Sequence, residues 1–491
     1  MFDDLQRNLI ARLGGRGISD LETGTIVVVP SITFPSVELQ KIVGICHYEE
    51  RLLCLLLFLG RPDVRMVFVT SVPVDPTVVD YYLGFLDDPE DARSRLTMVA
   101  VGDEEPRALT EKLLGDEEVL DEIRRAAGAP DQAYMLNFNV TTLESTLSER
   151  LGIALYGPRP DLIALGHKSG SRRIAREAGI DVLEGAEDLR SIEDVERAIA
   201  ALRERHPHAE AVVLKLNEGF SGQGNAIIDA GHVVSPLEES KTTFCSDAES
   251  WPSFKQKIAA GGAIVEELER NPAMVSPSVQ MRIAPSGAFE VVSTHDQILG
   301  GPDDQVYLGC RFPARANYRM DIQRAATKVA ALLSEKGVIG PFGIDFVVVP
   351  SRGGNRVYLT EINLRMGGTT HPFLMARLVT GGSYDDSTGE LIADGVPKYY
   401  MGTDNLKSST YVGLTPGEVI DAVRAEGLAF DRSTGRGVTL HLLGALARFG
   451  KLGVTSIGDS PHAAEELYGE LVRVVDSLAA RDGGNEVRSP R

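Results

Sequence analysis

The sequence predicts an α/β fold in which a parallel-sheet layer comes first and a second unit, rich in antiparallel pairs, follows. Three observations predict it. Apolar strands alternate with helical stretches over the first 158 residues, the pattern of a parallel sheet covered by helices. A β-branched run, Gly343 to Val349, is joined through the turn cluster Pro350-Ser-Arg-Gly-Gly-Asn355 to a second strand beginning at Tyr358, which reads as a hairpin. The length of 491 residues, with 43% hydrophobic and 24% charged side chains, suits about two to four globular units.

In the first unit, residues 1–20 read as a short amphipathic helix with a Gly-rich end. Strands are expected at Thr25–Thr33, Val64–Ser71, Leu96–Val101, Met135–Asn139 and Ala154–Gly157. Residues 36–59 read as a helix with a weak point at Gly44, and residues 75–95, 103–127 and 141–150 are helical in whole or part. The layer is Rossmann-like. It lacks a Gly-x-Gly-x-x-Gly turn after its first strand, which argues against a dinucleotide site.

A boundary falls near Gly157-Pro-Arg-Pro160. A basic helix start follows, carrying Lys168, Arg172, Arg173 and Arg176 in an otherwise acidic chain. Ala211-Val-Val-Leu-Lys215 is a strand that enters a loop with glycines at 219, 222 and 224, and Asn225–Asp229 is the return strand. Such glycines let successive N–H groups point at one anion, although no Gly-Lys-Ser/Thr of a P-loop follows. Ala263–Glu269 is a strand ending in carboxylates, and Pro277–Ile283 pairs with Phe289–His295. Tyr307–Pro313 carries Arg311, and Arg319–Lys336 is a long helix. Residues 383–395 read as partly helical. Val438–Leu443 and Lys451–Ile457 are expected to pair, Ser460 to open a last helix, and residues 481–491 to be disordered.

The strand at 358–365 organises the rest. Side chains alternate across a strand, so Glu361, Asn363 and Arg365 share one face while Ile362 and Leu364 take the other. A carboxylate and an amide oxygen are hard ligands for magnesium, and a guanidinium suits phosphate or an oxyanion. Asp345 on the partner strand can join them if the register allows. The alternative for this stripe is a solvated polar face on a half-buried sheet.

A net charge of −20 argues against nucleic acid as a partner. Four cysteines show no metal or redox spacing and fit free thiols in a reducing cytoplasm. The N-terminus lacks a secretory pattern, and the apolar run Leu52–Leu59 is too short to span a bilayer. The expectation is a cytoplasmic protein with no membrane partner. The apolar first layer is compatible with a homodimer.

Taken in order, Lys168, Lys215, the Gly-rich loop, Glu266-Glu267-Leu268, Asp345 and Glu361-x-Asn363-x-Arg365 resemble the ATP-grasp superfamily of carboxylate–amine ligases. Within it, the runs Ser293–Leu299, Gly309–Pro313 and Glu361–Pro372 are most similar to the pheganomycin-type peptide ligases. The resemblance implies an ATP-grasp fold of two α+β subdomains clasping ATP. The implied units are a Rossmann-like domain at 1–158, the ATP-grasp domain at 159–395 with its small subdomain at about 180–268, and a C-terminal α+β extension at 396–480.

The resemblance also implies roles. Lys168 and Lys215 would hold the α- and β-phosphates, with Lys215 also contributing to catalysis. Ser221, Gly222, Gln223 and Gly224 would close over the β/γ end. Glu266 and Leu268 would face the adenine through their backbones, with Glu267 between them and Glu269 reaching the ribose, in more than one possible register. Asp345, Glu361 and Asn363 would bind magnesium, two ions in the usual case, with manganese as a substitute. Arg365 would stabilise charge at the transferring phosphoryl group and then at the tetrahedral intermediate. His295, Arg311 and His371 are candidate substrate contacts; a buried structural histidine and a surface ion pair are the plainer readings. The implied reaction is ATP-dependent amide formation between small-molecule or peptide carboxylates and amines through an acyl phosphate, with release of ADP and phosphate. Phosphorylation of a hydroxyl and non-catalytic ATP binding stay open on the residues alone.

Overall fold

The computed structural model describes residues 2–13, 23–218, 224–233, 235–301 and 306–482. The Gly-rich end expected near residue 14, the loop residues Ser221, Gly222 and Gln223, and the tail at 483–491 lie outside them.

The first sheet is fully parallel. Its order is Leu96–Ala100, Val64–Thr70, Gly24–Val29, Ala133–Asn137 and Ala154–Leu155. The strands read as continuous apolar runs because both faces are covered. Val27, Val29, Val67, Val69 and Met135 pack one way, against helices including Leu109–Leu114, Glu117–Ala127 and Thr142–Leu151. Ile26, Val28, Phe68 and Leu136 pack the other way, against Ile45–Gly60. That second covering differs from the continuous helix expected over 36–59. A short helix, Ser36–Leu39, stops, and a tighter three-residue-per-turn helix begins after Gly44, whose φ of 71° breaks the path.

The second sheet is antiparallel, ordered Gly185–Leu189, Ala263–Glu267, Ala211–Leu216, Asn225–Asp229 and Thr242–Phe244. Helices Ile192–Arg205 and Trp251–Gly261 bury Val195, Ile199, Phe254 and Ile258 against it.

A third, ten-stranded sheet forms the remainder. Gly354–Asn363 stands at its edge and pairs with Gly340–Ser351, followed by Pro277–Ile283, Phe289–Gly300, Val306–Phe312 and Val396–Lys407. Helix Ala316–Glu335 covers the core face, on Val279, Phe342, Ile344, Leu359 and Ile362. Residues 383–395 are not helical. They form strands Ser383–Asp385 and Glu390–Ala393, because Leu391 and Ala393 alternate inward and Leu391–Ala393 pairs with Val396–Lys398. Lys451–Gly458 also pairs with Val396–Lys407, and Gly437–His441 pairs with Lys451–Gly458. The C-terminal strands therefore extend this sheet, and their apolar side chains share one core with Ile45–Gly60. Helix Pro461–Asp482 closes the chain, with Ser460 Oγ accepting from Ala463 N at its start. Among the described residues no helix is long and apolar enough to cross a membrane.

Candidate active site

The second and third sheets face each other across a cleft of about 920 Å³. Its floor is the hairpin of Gly340–Ser351 and Gly354–Asn363. Asp345 stands directly opposite Glu361, and a register shift beside that pair follows at Phe346. The bulge turns consecutive polar side chains toward the cleft. Asp345 Oδ2 accepts from Asn363 Nδ2 at 3.0 Å, and its other oxygen accepts from Gln297 Nε2 at 2.8 Å. Burial, and then the neighbouring Glu361 carboxylate, push Asp345 up to about 7. Two carboxylates this close, with an amide beside them, call for added positive charge, and the donors are the hard oxygens that magnesium prefers.

Lys168 supplies part of that charge. It opens helix Lys168–Glu177, and its Nζ donates to Glu361 Oε1 at 3.1 Å. The helix is fixed to the floor by Ser171 Oγ, which accepts from Ile362 N at 2.9 Å. Arg365 follows Asn363 on the same chain and lines the cleft, and the next residue, Met366, donates its N–H to the Phe138 carbonyl.

The opposite wall is the second sheet. Lys215 and Val213 line it, as do Glu267, Leu268 and Glu269. Glu266 does not. Its side chain is wholly buried, accepting from Lys215 Nζ at 2.8 Å on one oxygen and Arg172 at 2.5 Å on the other. Burial alone would push Glu266 up, but the two cations override it and hold the carboxyl below its ordinary range. Glu266 stands opposite Val213, and Ile264 opposite Lys215, so the Glu266 side chain shares the face of the cleft residues Val213 and Lys215 and is buried there under Arg172. The edge exposed to the cleft thus runs over Glu267–Glu269, beside apolar Leu183 and Met274.

Gly224 ends the loop, and its carbonyl accepts from Leu216 N at 2.9 Å. Arg173 and Arg176 point away from the cleft and pair with Asp188 and Glu187.

The three substrate candidates separate. Arg311 stands at the rim, where its Nε meets Glu465 Oε1 at 2.6 Å. His295 is not in the cleft. It is fully buried on the far face of its strand, 2.6 Å from Tyr400 Oη, while the adjacent Asp296 and Gln297 take the cleft side. His371 is also buried, behind the cleft wall, 3.0 Å from Asp404 Oδ1.

Sequence reasoning missed several lining residues: Gln297, Arg51, Asp404 and Lys451. Arg51 is 97% buried, its guanidinium lying over the rings of Tyr48 and Phe138. A charge heading the apolar run Leu52–Leu59 was its signal. An aspartate inside the strand Val396–Lys407 was the signal for Asp404.

The family description "IQCH-like, ATP-grasp" matches residues 162–243 and 237–387, and "PGM1 C-terminal domain" matches 418–471. A curated relative, L-propargylglycine–L-glutamate ligase of Streptantibioticus cattleyicolor, is 33% identical over 452 residues, covering 90% of this chain and 92% of that one. The chain belongs to the ATP-grasp carboxylate–amine ligases. Among solved structures, N5-carboxyaminoimidazole ribonucleotide synthetase with ADP has a TM-score of 0.54 at 14% identity, covering 93% of this chain and 98% of that one. Biotin carboxylase from Campylobacter jejuni has 0.55 at 13%, covering 90% and 89%. Both share the ATP-grasp fold. The substrates of this ligase are small molecules and ATP.

Proposed function

We propose that this ligase joins the carboxylate of one amino acid or peptide to the amine of another, using ATP to activate the acid as an acyl phosphate. The observation that carries the reading is the cross-strand pair Asp345–Glu361, with Lys168 on one side and Arg365 further along the same chain.

The nucleotide lies between the two sheets in this reading. Leu183, Val213, Leu268 and Met274 form its apolar slot, and Glu267 and Glu269 flank it. Lys168 and Lys215 reach its phosphates. Asp345, Glu361 and Asn363 hold magnesium, which neutralises phosphate charge when bound. Lys168 then leaves Glu361 for a phosphate oxygen. The acid's carboxylate attacks the γ-phosphorus, ADP leaves, and the acyl phosphate forms. A neutral amine attacks the acyl carbon, Arg365 stabilises the oxyanion, and phosphate departs, taking the proton that the amine loses. The acyl phosphate would be lost to water in an open site, so the chemistry requires water to be excluded from the cleft.

The units at 1–158, 159–395 and 396–480 share the work. The middle one carries nucleotide and metal, and the outer two wall the acceptor end through Lys41, Arg51, Lys407 and Lys451. Lys41 there pairs with Glu38 and Glu249 and Arg51 with Asp404, while Lys407 and Lys451 add further positive charge, which suits an amino acid bearing an extra carboxylate. The relative's name includes L-glutamate, and the cationic wall supports a similar acidic partner here. We place the protein in the cytoplasm, with a homodimer as its assembly.

The test is a screen of amino acid and short peptide pairs with ATP and Mg²⁺, reading ADP by coupled assay and the product by mass spectrometry. The expected result is ADP release that requires both partners, with a new amide. ADP formed only with a polyol, giving a phosphorylated alcohol, would overturn the reading.

A further inference from the structure

We propose that His371, Asp404 and His441 form a site for one divalent transition-metal ion of the zinc class, separate from the oxygen donors of the 340–363 hairpin. His371 opens helix Thr370–Thr380, Asp404 lies in strand Val396–Lys407, and His441 ends strand Gly437–His441. All three are buried, and one ligand atom from each falls within 4.8 Å of the other two.

The contacts are closer than that limit. His371 Nε2 is 3.0 Å from Asp404 Oδ1, His441 Nε2 is 2.8 Å from the same oxygen, and the two nitrogens are 3.0 Å apart. With Asp404 ionised, no arrangement of protons satisfies this triangle. If both Nε2 atoms are protonated, both donate to Asp404 and the nitrogen–nitrogen edge sets donor against donor. If one is bare, its lone pair faces the carboxylate oxygen. Protonating Asp404 matches the three edges only by making one N–H donate to two atoms and one lone pair accept from two, and it leaves Arg51 facing a neutral acid. A cation resolves all three edges at once, since each atom then offers it a lone pair.

The geometry suits a small ion. Ligand atoms around tetrahedral zinc, with bonds of about 2.0–2.1 Å, stand roughly 3.3 Å apart, so each pair needs to open by only a few tenths of an ångström. Two imidazoles and a carboxylate favour a first-row transition metal over magnesium.

The ligands are also held from behind. Arg51 reaches Asp404 Oδ2 at 3.3 Å, which fixes the oxygen turned toward the histidines. The His441 ring lies on its cross-strand partner Gly453, where a Cβ would come within 2.1 Å of the ring. Three protein ligands leave a position for water or substrate, and Asp404 lines the acceptor end of the cleft. An ion here ties the turn after Arg365 to the C-terminal strands.

The test reads metal, not turnover, so its failure leaves the ligase reading standing. Chelator-treated full-length protein, in excess Mg²⁺ and without ATP, is titrated with Co²⁺ as a spectroscopic probe. One equivalent should give a visible d–d band that Zn²⁺ abolishes. His441→Gln should lose the band, and Gly453→Ala, which keeps every ligand but displaces a ring, should weaken binding at least tenfold. Zinc X-ray absorption of the unaltered protein should show imidazole and oxygen scattering, whatever the variants do to folding. Absence of stoichiometric Co²⁺ binding overturns the proposal, as does a band unchanged in His441→Gln or zinc bound through sulfur.

Discussion

Lys215 and Arg172 share one carboxylate: Glu266 holds Lys215 Nζ at 2.8 Å and Arg172 at 2.5 Å from its two oxygens. Arg172 is fully buried and has Glu187 as its other ion-pair partner, at 3.0 Å. Glu266 thus neutralises a cation under the wall and aims another into the cleft. Glu266→Ala should cost about 3 kcal/mol or more, because it leaves buried charge uncompensated. Urea unfolding measures this. A loss below about 1 kcal/mol would show that the pairing has little weight.

Lys168 Nζ donates to Glu361 Oε1 at 3.1 Å. If it moves to a phosphate when ATP binds, Lys168→Ala should weaken ATP binding by about tenfold or more, about 1.4 kcal/mol. Lys215→Ala should behave alike. Calorimetry with Mg²⁺ and a non-hydrolysable nucleotide reads both. An unchanged Kd in either variant removes that lysine from the site.

Arg365 and Glu361 separate binding from chemistry. Arg365→Ala should lower kcat for ADP release by about 10²–10³-fold while nucleotide affinity stays within a few fold, the signature of a donor that acts on developing charge. Glu361→Gln should lose both turnover and the Mg²⁺ dependence of nucleotide binding. Near-normal turnover in either variant contradicts the assignment.

The face shared by Glu361, Asn363 and Arg365 was readable because the pleat dictates alternation. Its facing of Asp345 was not, since register there depends on a bulge between Asp345 and Phe346 that leaves no mark in composition. The same alternation, applied to Ala263–Glu267, puts Glu266 on the face of Val213 and Lys215, but its covering by Arg172 depended on tertiary packing. His295 and His371 illustrate another limit. Both stand next to cleft-lining sequence, yet strand and helix geometry turn them into buried polar clusters. Arg51, Asp404 and Lys451 reach the cleft from opposite ends of the chain, through a core that only tertiary packing creates.

Glu49 gives a pH test away from the site. It is buried, accepts from Ser71 N and Oγ at 2.6 Å each, and is pushed by burial from 4.5 up to about 7. Lys112, bonded to the same Ser71 Oγ, and His47 oppose that shift without cancelling it. Between pH 4.5 and 7 the folded protein keeps a proton that the unfolded chain releases, so Glu49 lowers stability as pH rises through that window. Glu49→Gln stays neutral. It should therefore gain on the unaltered protein as pH rises, to on the order of 3 kcal/mol at pH 8, with little gain below pH 5. Urea unfolding at both pH values checks this, and an equal gap at both would contradict it.

Gly170 links the fold to the nucleotide lysine. It sits in the first turns of Lys168–Glu177, where that helix crosses the carbonyls of the preceding turn. A Cβ there would lie 2.0 Å from the Ala164 carbonyl oxygen and 2.9 Å from that of Leu165. Both obstacles are backbone, so no side chain can rotate away and the helix itself must shift. Alanine is otherwise the better helix former, so propensity predicts a gain and packing predicts a loss. A contact this short decides for packing. Gly170→Ala should destabilise by about 1–3 kcal/mol. The shift also moves Lys168 relative to Glu361 and Ser171 relative to Ile362 N, the contacts that seat the helix on the catalytic strand. ATP affinity should therefore fall together with stability, although residue 170 touches no ligand. Thermal unfolding and nucleotide calorimetry on one sample distinguish the outcomes. A variant that is more stable, or that loses stability with unchanged ATP affinity, would mean that the helix does not set the position of Lys168.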